Sequence, residues 1–367
     1  MQKLMFNPNN SNIFFQEANE ALKHILHNHT DAPLFLLTND KVYKNCFSKI
    51  KVAFESKNIE LIVISDGELY KSINSCNLIW QTLINHNAPR NSILINLGGG
   101  VILDLGGFAA SVYKRGINFI NIPTTLLAQT DVSLGDKTGI NFLNIKNSVG
   151  TFSKPLATII DTNFLTTLNN KEFIAGYAEV IKHALVSDRA LFEDLVNYKY
   201  SLTTEINKDS ISELLTRSLT IKNAIVSKDL YENGERKKLN FGHSIAHAIE
   251  SLYLNKGKNI LHGYAVAFGI AAESYLSYKL SSLTLAQLYY ILKYIFKIFD
   301  NKYEVNSDDL DLLYTFMLND KKNGSPNEGL NFTLLKDIGE ASIDNYIKNE
   351  DVIKEAIQFT INENSLL

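Results

Sequence analysis

Leu97-Gly98-Gly99-Gly100-Val101-Ile102-Leu103-Asp104 decides the fold, because it joins the apolar run Ile93-Leu94-Ile95-Asn96-Leu97 to the start of a helical pattern. A short apolar run that ends in glycines and opens a helix reads as the βα turn of a parallel sheet. Glycines there let the backbone approach a pyrophosphate, and the helix N-terminus offers free N–H groups to an anion. The stretch is not a GxGxxG fingerprint, so by itself it also reads as a plain tight turn.

Runs of the same kind flank it: Leu34-Phe35-Leu36-Leu37-Thr38, Leu61-Ile62-Val63-Ile64, Phe119-Ile120-Asn121-Ile122 and Thr158-Ile159-Ile160. Helical patterns over 41–57 and 71–87 lie between them. This alternation predicts an α/β domain with a parallel sheet over 1–161, its ligands at the carboxyl ends of the strands and nucleotide-binding if the glycine turn takes a pyrophosphate. Beyond Asp161 the periods turn helical, over 172–198, 204–228, 241–253, 263–280 and 285–299. They predict an all-α domain over 162–367, metal-binding if a carboxylate and histidines within it are ligands. Asp320-Lys321-Lys322-Asn323-Gly324 reads as a turn, 330–335 as a short strand and the tail from Ile343 as helix.

The bulk numbers set limits. The 367 residues suffice for two domains, and 45% hydrophobic with 20% charged residues is a globular composition. A net charge of −3 gives no field that calls for nucleic acid or an anionic membrane. Cys46 and Cys76 form no metal-ligand spacing and read as packing residues in a reducing compartment. The polar start, residues 1–12, lacks the apolar core of a secretory signal, and no run reaches the roughly 18 apolar residues of a membrane span. A cytoplasmic protein is expected.

The chemistry gathers in the second half. His243 and His247, four residues apart, share a helix face, and His262 stands at the start of the next helix. With Glu179 of Ala178-Glu179-Val180-Ile181-Lys182, one carboxylate and two imidazoles would form an open, zinc-like site. The pair also reads as half-buried polar core, since it lacks a metalloprotease glutamate. Asp66-Gly67-Glu68-Leu69-Tyr70-Lys71 and Pro123-Thr124-Thr125 follow their strands and bring acidic and hydroxyl groups to the sheet edge, where plain capping is the alternative. Asp131, Lys137, Asn141, Lys146 and Asn147 lie in a stretch that reads as a solvated loop. Taken with Lys182, Lys222, Arg236 and Asn240, they suit a phosphorylated or carboxylated substrate.

These ordered motifs, continued by Arg115-Gly116, Lys137-Thr138, Lys146-Asn147, residues 240–250 and Leu261-His262-Gly263, resemble the 3-dehydroquinate synthases of the sugar-phosphate cyclase superfamily. The match runs from Leu34 to Leu335. The resemblance implies an NAD-binding domain, a helical metal domain and an active site in the cleft between them. It further implies conversion of 3-deoxy-D-arabino-heptulosonate 7-phosphate to 3-dehydroquinate with no net redox. Glu179, His243 and His262 would hold zinc, with cobalt as a substitute. Asp131, Lys137, Asn147, Lys182, Lys222, Arg236, Asn240 and His247 would surround the substrate, with one of Lys321 and Lys322. Asp66, Gly67, Glu68, Lys71, Gly98, Gly99, Gly100, Val101, Asp104, Thr124 and Thr125 would contact NAD, as would Lys137, Lys146, Phe164, Thr166 and Thr167. The implied partners are a phosphorylated small molecule and a second copy of the chain, with neither nucleic acid nor membrane. Siblings within the fold would be a cyclase for another sugar phosphate or a metal- and NAD-dependent polyol dehydrogenase; a degenerate, non-catalytic protein is a third class.

Three positions depart from the family pattern. Asp136 stands where Gly is usual before Lys137, and its carboxylate would either repel an anionic substrate or point outward. Tyr264 stands where His262-Gly263 is usually followed by Glu, which removes an expected carboxylate near the metal. Leu103 replaces a glycine in the cofactor turn.

Overall fold

The computed structural model of the protein describes residues 12–55, 57–143, 145–197, 208–299, 303–319 and 329–366. The chain divides into two compact units, Met1–Asn169 and Asn170–Leu367.

In the first unit the elements run β1 (Ile13–Phe15), α1 (Ala18–His27), β2 (Leu34–Asn39), α2 (Asp40–Cys46), β3 (Ile59–Ile64), α3 (Ile73–Asn85), β4 (Ile93–Gly98), α4 (Gly100–Val112) and β5 (Asn118–Pro123). They continue with β6 (Lys137–Phe142), β7 (Ile145–Phe152) and β8 (Ala157–Ile160). The main sheet has the order β1-β8-β5-β4-β2-β3, and every pairing in it is parallel. β2 and β4 are buried along their whole length. Period-2 alternation sends Leu34 and Leu36 to one apolar cluster with Leu22 and Leu26 of α1. Phe35 and Leu37 go to another with Ile79 of α3 and Leu105 of α4. Each such fully buried side chain contributes about 1.5–3 kcal/mol relative to exposure. The strand order reverses between β2 and β4, which places the ligand crevice at the ends of those strands, Asn39 and Gly98.

Two stretches differ from the sequence expectation. The 41–57 helix stops at Cys46 and continues as short 3-10 turns, Phe47–Lys49 and Lys51–Phe54. The lysine-asparagine stretch is not a loop but a π-turn, Ala128–Val132, followed by the antiparallel hairpin β6–β7.

The second unit comprises α5 (Asn170–Ser187), α6 (Arg189–Val196), α7 (Lys208–Val226), α8 (His243–Asn255), α9 (His262–Leu280), α10 (Leu285–Ile298), α11 (Leu310–Leu318), β9 (Leu330–Asp337), β10 (Glu340–Ile347) and α12 (Glu350–Leu366). The expected helix over 172–198 is broken at Asp188, whose carboxylate caps α6 by accepting from Leu191 N–H. The helical unit also carries the antiparallel hairpin β9–β10, so Ile343 lies in a strand and the last helix begins at Glu350. Among the described residues no helix is long and apolar enough to cross a membrane. Cys46 and Cys76 are buried and unpaired with each other. The expected turn at 320–324, with Lys321 and Lys322, lies outside the described residues.

Candidate active site

In the first unit, α4 starts directly from the glycines that end β4, and its N-cap, Gly99, brings no side chain to its orphan N–H groups. A 13-residue helix that begins this way presents donors and a positive dipole end to an anion. Asn39, at the end of β2, donates its amide to Asp66 Oδ1 at 2.9 Å, and Gly67 takes the left-handed φ of 112° that turns the chain there. Thr124 N–H donates to Gly98 O at 2.9 Å, and Thr125 Oγ1 accepts from Ala128 N–H at 3.1 Å. The structure therefore brings Asp66, the glycine turn and the two threonines to strand ends of one sheet edge.

A polar network joins four further predicted residues with Asn141. Lys71, nearly buried, donates to Asp104 Oδ2 of α4 at 2.6 Å and to the Asn147 side-chain carbonyl. Asn141 donates to Glu68 Oε1 at 2.8 Å and accepts from Asn147 N–H at 2.9 Å. Burial pushes the Asp104 carboxyl up, and the Lys71 ammonium opposes it. Lys137 opens β6 with its side chain exposed, Lys146 is half-buried on β7, and Asp131 is half-buried in the π-turn. Phe164 is fully buried in the apolar core, whereas Thr166 is exposed and Thr167 Oγ1 lies 3.5 Å from Cys46 Sγ. Asp136 has a left-handed φ of 56° and lines a small recess with Asn12, Ser133, Lys154 and Thr158.

In the second unit, Glu179, His243 and His262 converge from α5, α8 and α9, with one ligand atom from each within 4.8 Å of the others. Both imidazoles aim Nε2 at the same Glu179 oxygen, at 3.5 Å and 3.7 Å. Glu179 is completely buried, and its carboxylate accepts no hydrogen bond of proper geometry. What surrounds it is charge, since Lys182 Nζ touches its other oxygen. Burial alone would raise the Glu179 carboxyl, but Lys182 and then His243 hold it well below the usual range. A buried carboxylate with two imidazoles sharing one focal point is what a three-ligand divalent cation site requires, so the residues fit a metal.

Close packing sets these positions. His243 opens α8 because Gly242 accepts a φ of 79°, and buried Glu273 of α9 accepts from Gly242 N–H at 2.7 Å. His262 opens α9 where Gly263 lies against Ala175 of α5; a Cβ at Gly263 would meet Ala175 O at 1.8 Å. His262 Nδ1 faces Glu250 Oε1 at 3.3 Å. A carboxylate of α8 thus lies beside His262, while Tyr264 packs edge-on against Phe299. Burial alone would lower the His262 imidazole, but the carboxylates of Glu250 and Glu179 push it up to about 10. His247 stands one turn from His243, ring centroids 5.7 Å apart, outside the ligand triple.

Lys182, Lys222 and Arg236 are all nearly buried. Arg236 and Asn240 lie on a 3-10 segment, Glu235–Asn240, rather than on an α-helix. Asn240 donates to Glu232 Oε1 at 2.6 Å, and Glu232 has a left-handed φ of 64°. Sequence reasoning missed Glu232, and a lone glutamate in a polar turn gave it no signal.

Comparison with known proteins gives the family. Residues 61–175 match the 3-dehydroquinate synthase N-terminal model and residues 176–323 the 3-dehydroquinate synthase C-terminal model. A 3-dehydroquinate synthase of Parabacteroides distasonis is 42% identical over 335 residues, covering 89% of this chain and 90% of that one. One from Campylobacter jejuni subsp. doylei is 38% identical over 336 residues, covering 90% and 93%. Among solved structures, a 2-epi-5-epi-valiolone synthase of Streptomyces hygroscopicus subsp. jinggangensis with NAD+ and Zn2+ bound superposes with a TM-score of 0.84 at 26% identity, over 95% of this chain and 96% of that one. With matching models over both units and such relatives over nearly the whole chain, the protein belongs to the 3-dehydroquinate synthase family.

Proposed function

We propose that this protein is a 3-dehydroquinate synthase, releasing phosphate from 3-deoxy-D-arabino-heptulosonate 7-phosphate and closing the carbocycle of 3-dehydroquinate. The observation that carries the reading is the convergence of Glu179, His243 and His262 in a unit that also buries Lys182, Lys222 and Arg236. When bound, NAD supplies a reversible hydride acceptor and zinc, or cobalt in its place, a Lewis acid for a ring hydroxyl.

The chain's own residues supply binding and proton handling. The α4 N-terminus with Gly98, Gly99, Gly100 and Val101 is assigned to the pyrophosphate of the nucleotide, and Asp66, Gly67 and Glu68 to ribose hydroxyls. Lys71 and Asp104 brace that turn, and Thr124, Thr125, Lys137, Lys146, Thr166 and Thr167 complete the nucleotide set, with Phe164 acting through packing. Glu179, His243 and His262 are assigned to the metal. Desolvated cations at Lys182, Lys222 and Arg236 pair with the substrate's phosphate and carboxylate more strongly than exposed ones would. Asp131, Lys137, Asn147 and Asn240 are assigned to orienting the substrate, and His247 to moving a proton.

We also infer a homodimer, supported by Phe142, Leu143, Ile145 and Phe152, which leave the β6–β7 hairpin with an exposed apolar surface. A cytoplasmic location fits two cysteines that are not bridged. The decisive test of the function is stoichiometric. Phosphate and 3-dehydroquinate should form in equal amounts with no net NADH, whereas accumulating NADH would identify a dehydrogenase.

A further inference from the structure

Behind the ligand triple, α5 and α7 are joined by a fully buried polar pair. His183 Nδ1 and Ser218 Oγ lie 2.8 Å apart, and neither residue is exposed. His183 stands four residues after Glu179 on α5, hence on the same face one turn along. One of its ring nitrogens lies within 4.8 Å of a Glu179 carboxylate oxygen. On α7, Ser218 stands one turn before buried Lys222. The pair therefore sits between the element that carries Glu179 and Lys182 and the element that carries Lys222.

Lys182 touches one Glu179 oxygen and the two imidazoles face the other, so a group packed against the carboxylate from its own helix helps to set where those oxygens point. A planar ring pinned at one nitrogen has its orientation fixed by that bond as well as by packing, whereas an apolar ring would keep only the packing. We propose that His183, anchored by Ser218, is a positioning residue: it backs the Glu179 carboxylate and fixes the spacing of α5 and α7, so that Glu179 and Lys222 are held in register. The proposal rests on the reading of Glu179 as a metal ligand.

The test uses the full chain and zinc alone, with affinity measured by competition against a chromophoric chelator and ligand geometry by the visible spectrum of the cobalt-substituted protein. His183→Phe should raise the zinc Kd about 10–100-fold, the range for losing an outer partner of a ligand, and alter the cobalt spectrum. Ser218→Ala should move both in the same direction by less. His183→Asn, whose amide can keep the Ser218 bond, should recover most of the affinity. Glu179→Ala separates the two readings. If it binds zinc as the parent does, the ligand assignment is wrong. If it loses zinc while His183→Phe and Ser218→Ala keep the parent Kd and spectrum, the positioning role is overturned. Should His183→Phe fail to fold, Ser218→Ala alone decides, because removing one hydroxyl leaves the packing in place.

Discussion

Glu250 Oε1 lies 3.3 Å from His262 Nδ1, so the last turns of α8 orient the imidazole that opens α9. That contact gives His262 a carboxylate partner on its far nitrogen although position 264 is a tyrosine. Glu250→Gln keeps the shape and removes the charge. Its zinc Kd should rise about 10–100-fold, with activity restored by excess zinc. Unchanged zinc affinity would reduce Glu250 to a packing residue.

Gly263→Ala probes the helix contact that brings His262 to Glu179. The new methyl would stand 1.8 Å from Ala175 O, so α9 has to move away from α5. Overpacking of this kind costs about 1–3 kcal/mol or more, and here it also separates two ligands. Denaturant midpoint and bound zinc should both fall. Loss of stability with full zinc retention would show that the helices adjust without disturbing the triple.

Asp229 ties down the turn that leads to Arg236. Its carboxylate accepts from the N–H groups of Gly234 at 2.7 Å, Asn233 at 3.0 Å and Arg236 at 3.1 Å. Burial would raise this carboxyl, but those donors hold it below its ordinary value. A depressed folded pKa means stability that is present above about pH 4 and lost as the pH falls through the lower folded value. Asp229→Ala should therefore be less stable than the parent at pH 7, by roughly 1 kcal/mol once solvent screening is allowed for. The gap should narrow below about pH 4. A gap that is the same at both pH values would assign the effect to packing instead.

Asp136 and Lys154 line one small recess, and interactions of a partly exposed charge are worth only about 0.2–1 kcal/mol. Asp136→Gly should thus leave KM for the phosphorylated substrate within about twofold. A tenfold fall in KM would mean that the carboxylate reaches the substrate anion.

The first unit was legible because β2 and β4 are apolar on both faces, which only a doubly covered parallel sheet explains. The β6–β7 hairpin was not. Its residues 145–152 are mostly exposed, so no alternation of apolar and polar marks it as a strand. The same holds for Ile343, where an irregularity with Asp344 at a φ of 59° interrupts the pairing pattern of β10. In the site, His243 and His262 could be picked out as ring types beside Glu179. Their supports could not: Glu250, Glu273 and His183 act across helices, and spacing along one chain carries no record of that.

The measurement that bears most directly on the central claim is turnover of the metal-stripped protein with 3-deoxy-D-arabino-heptulosonate 7-phosphate and NAD, titrated with zinc and repeated for His262→Ala. Phosphate and 3-dehydroquinate should appear together in proportion to zinc bound. His262→Ala should lose both turnover and tight zinc retention. Product formation that ignores zinc, or a His262→Ala protein that keeps its metal and activity, would contradict the site at its core.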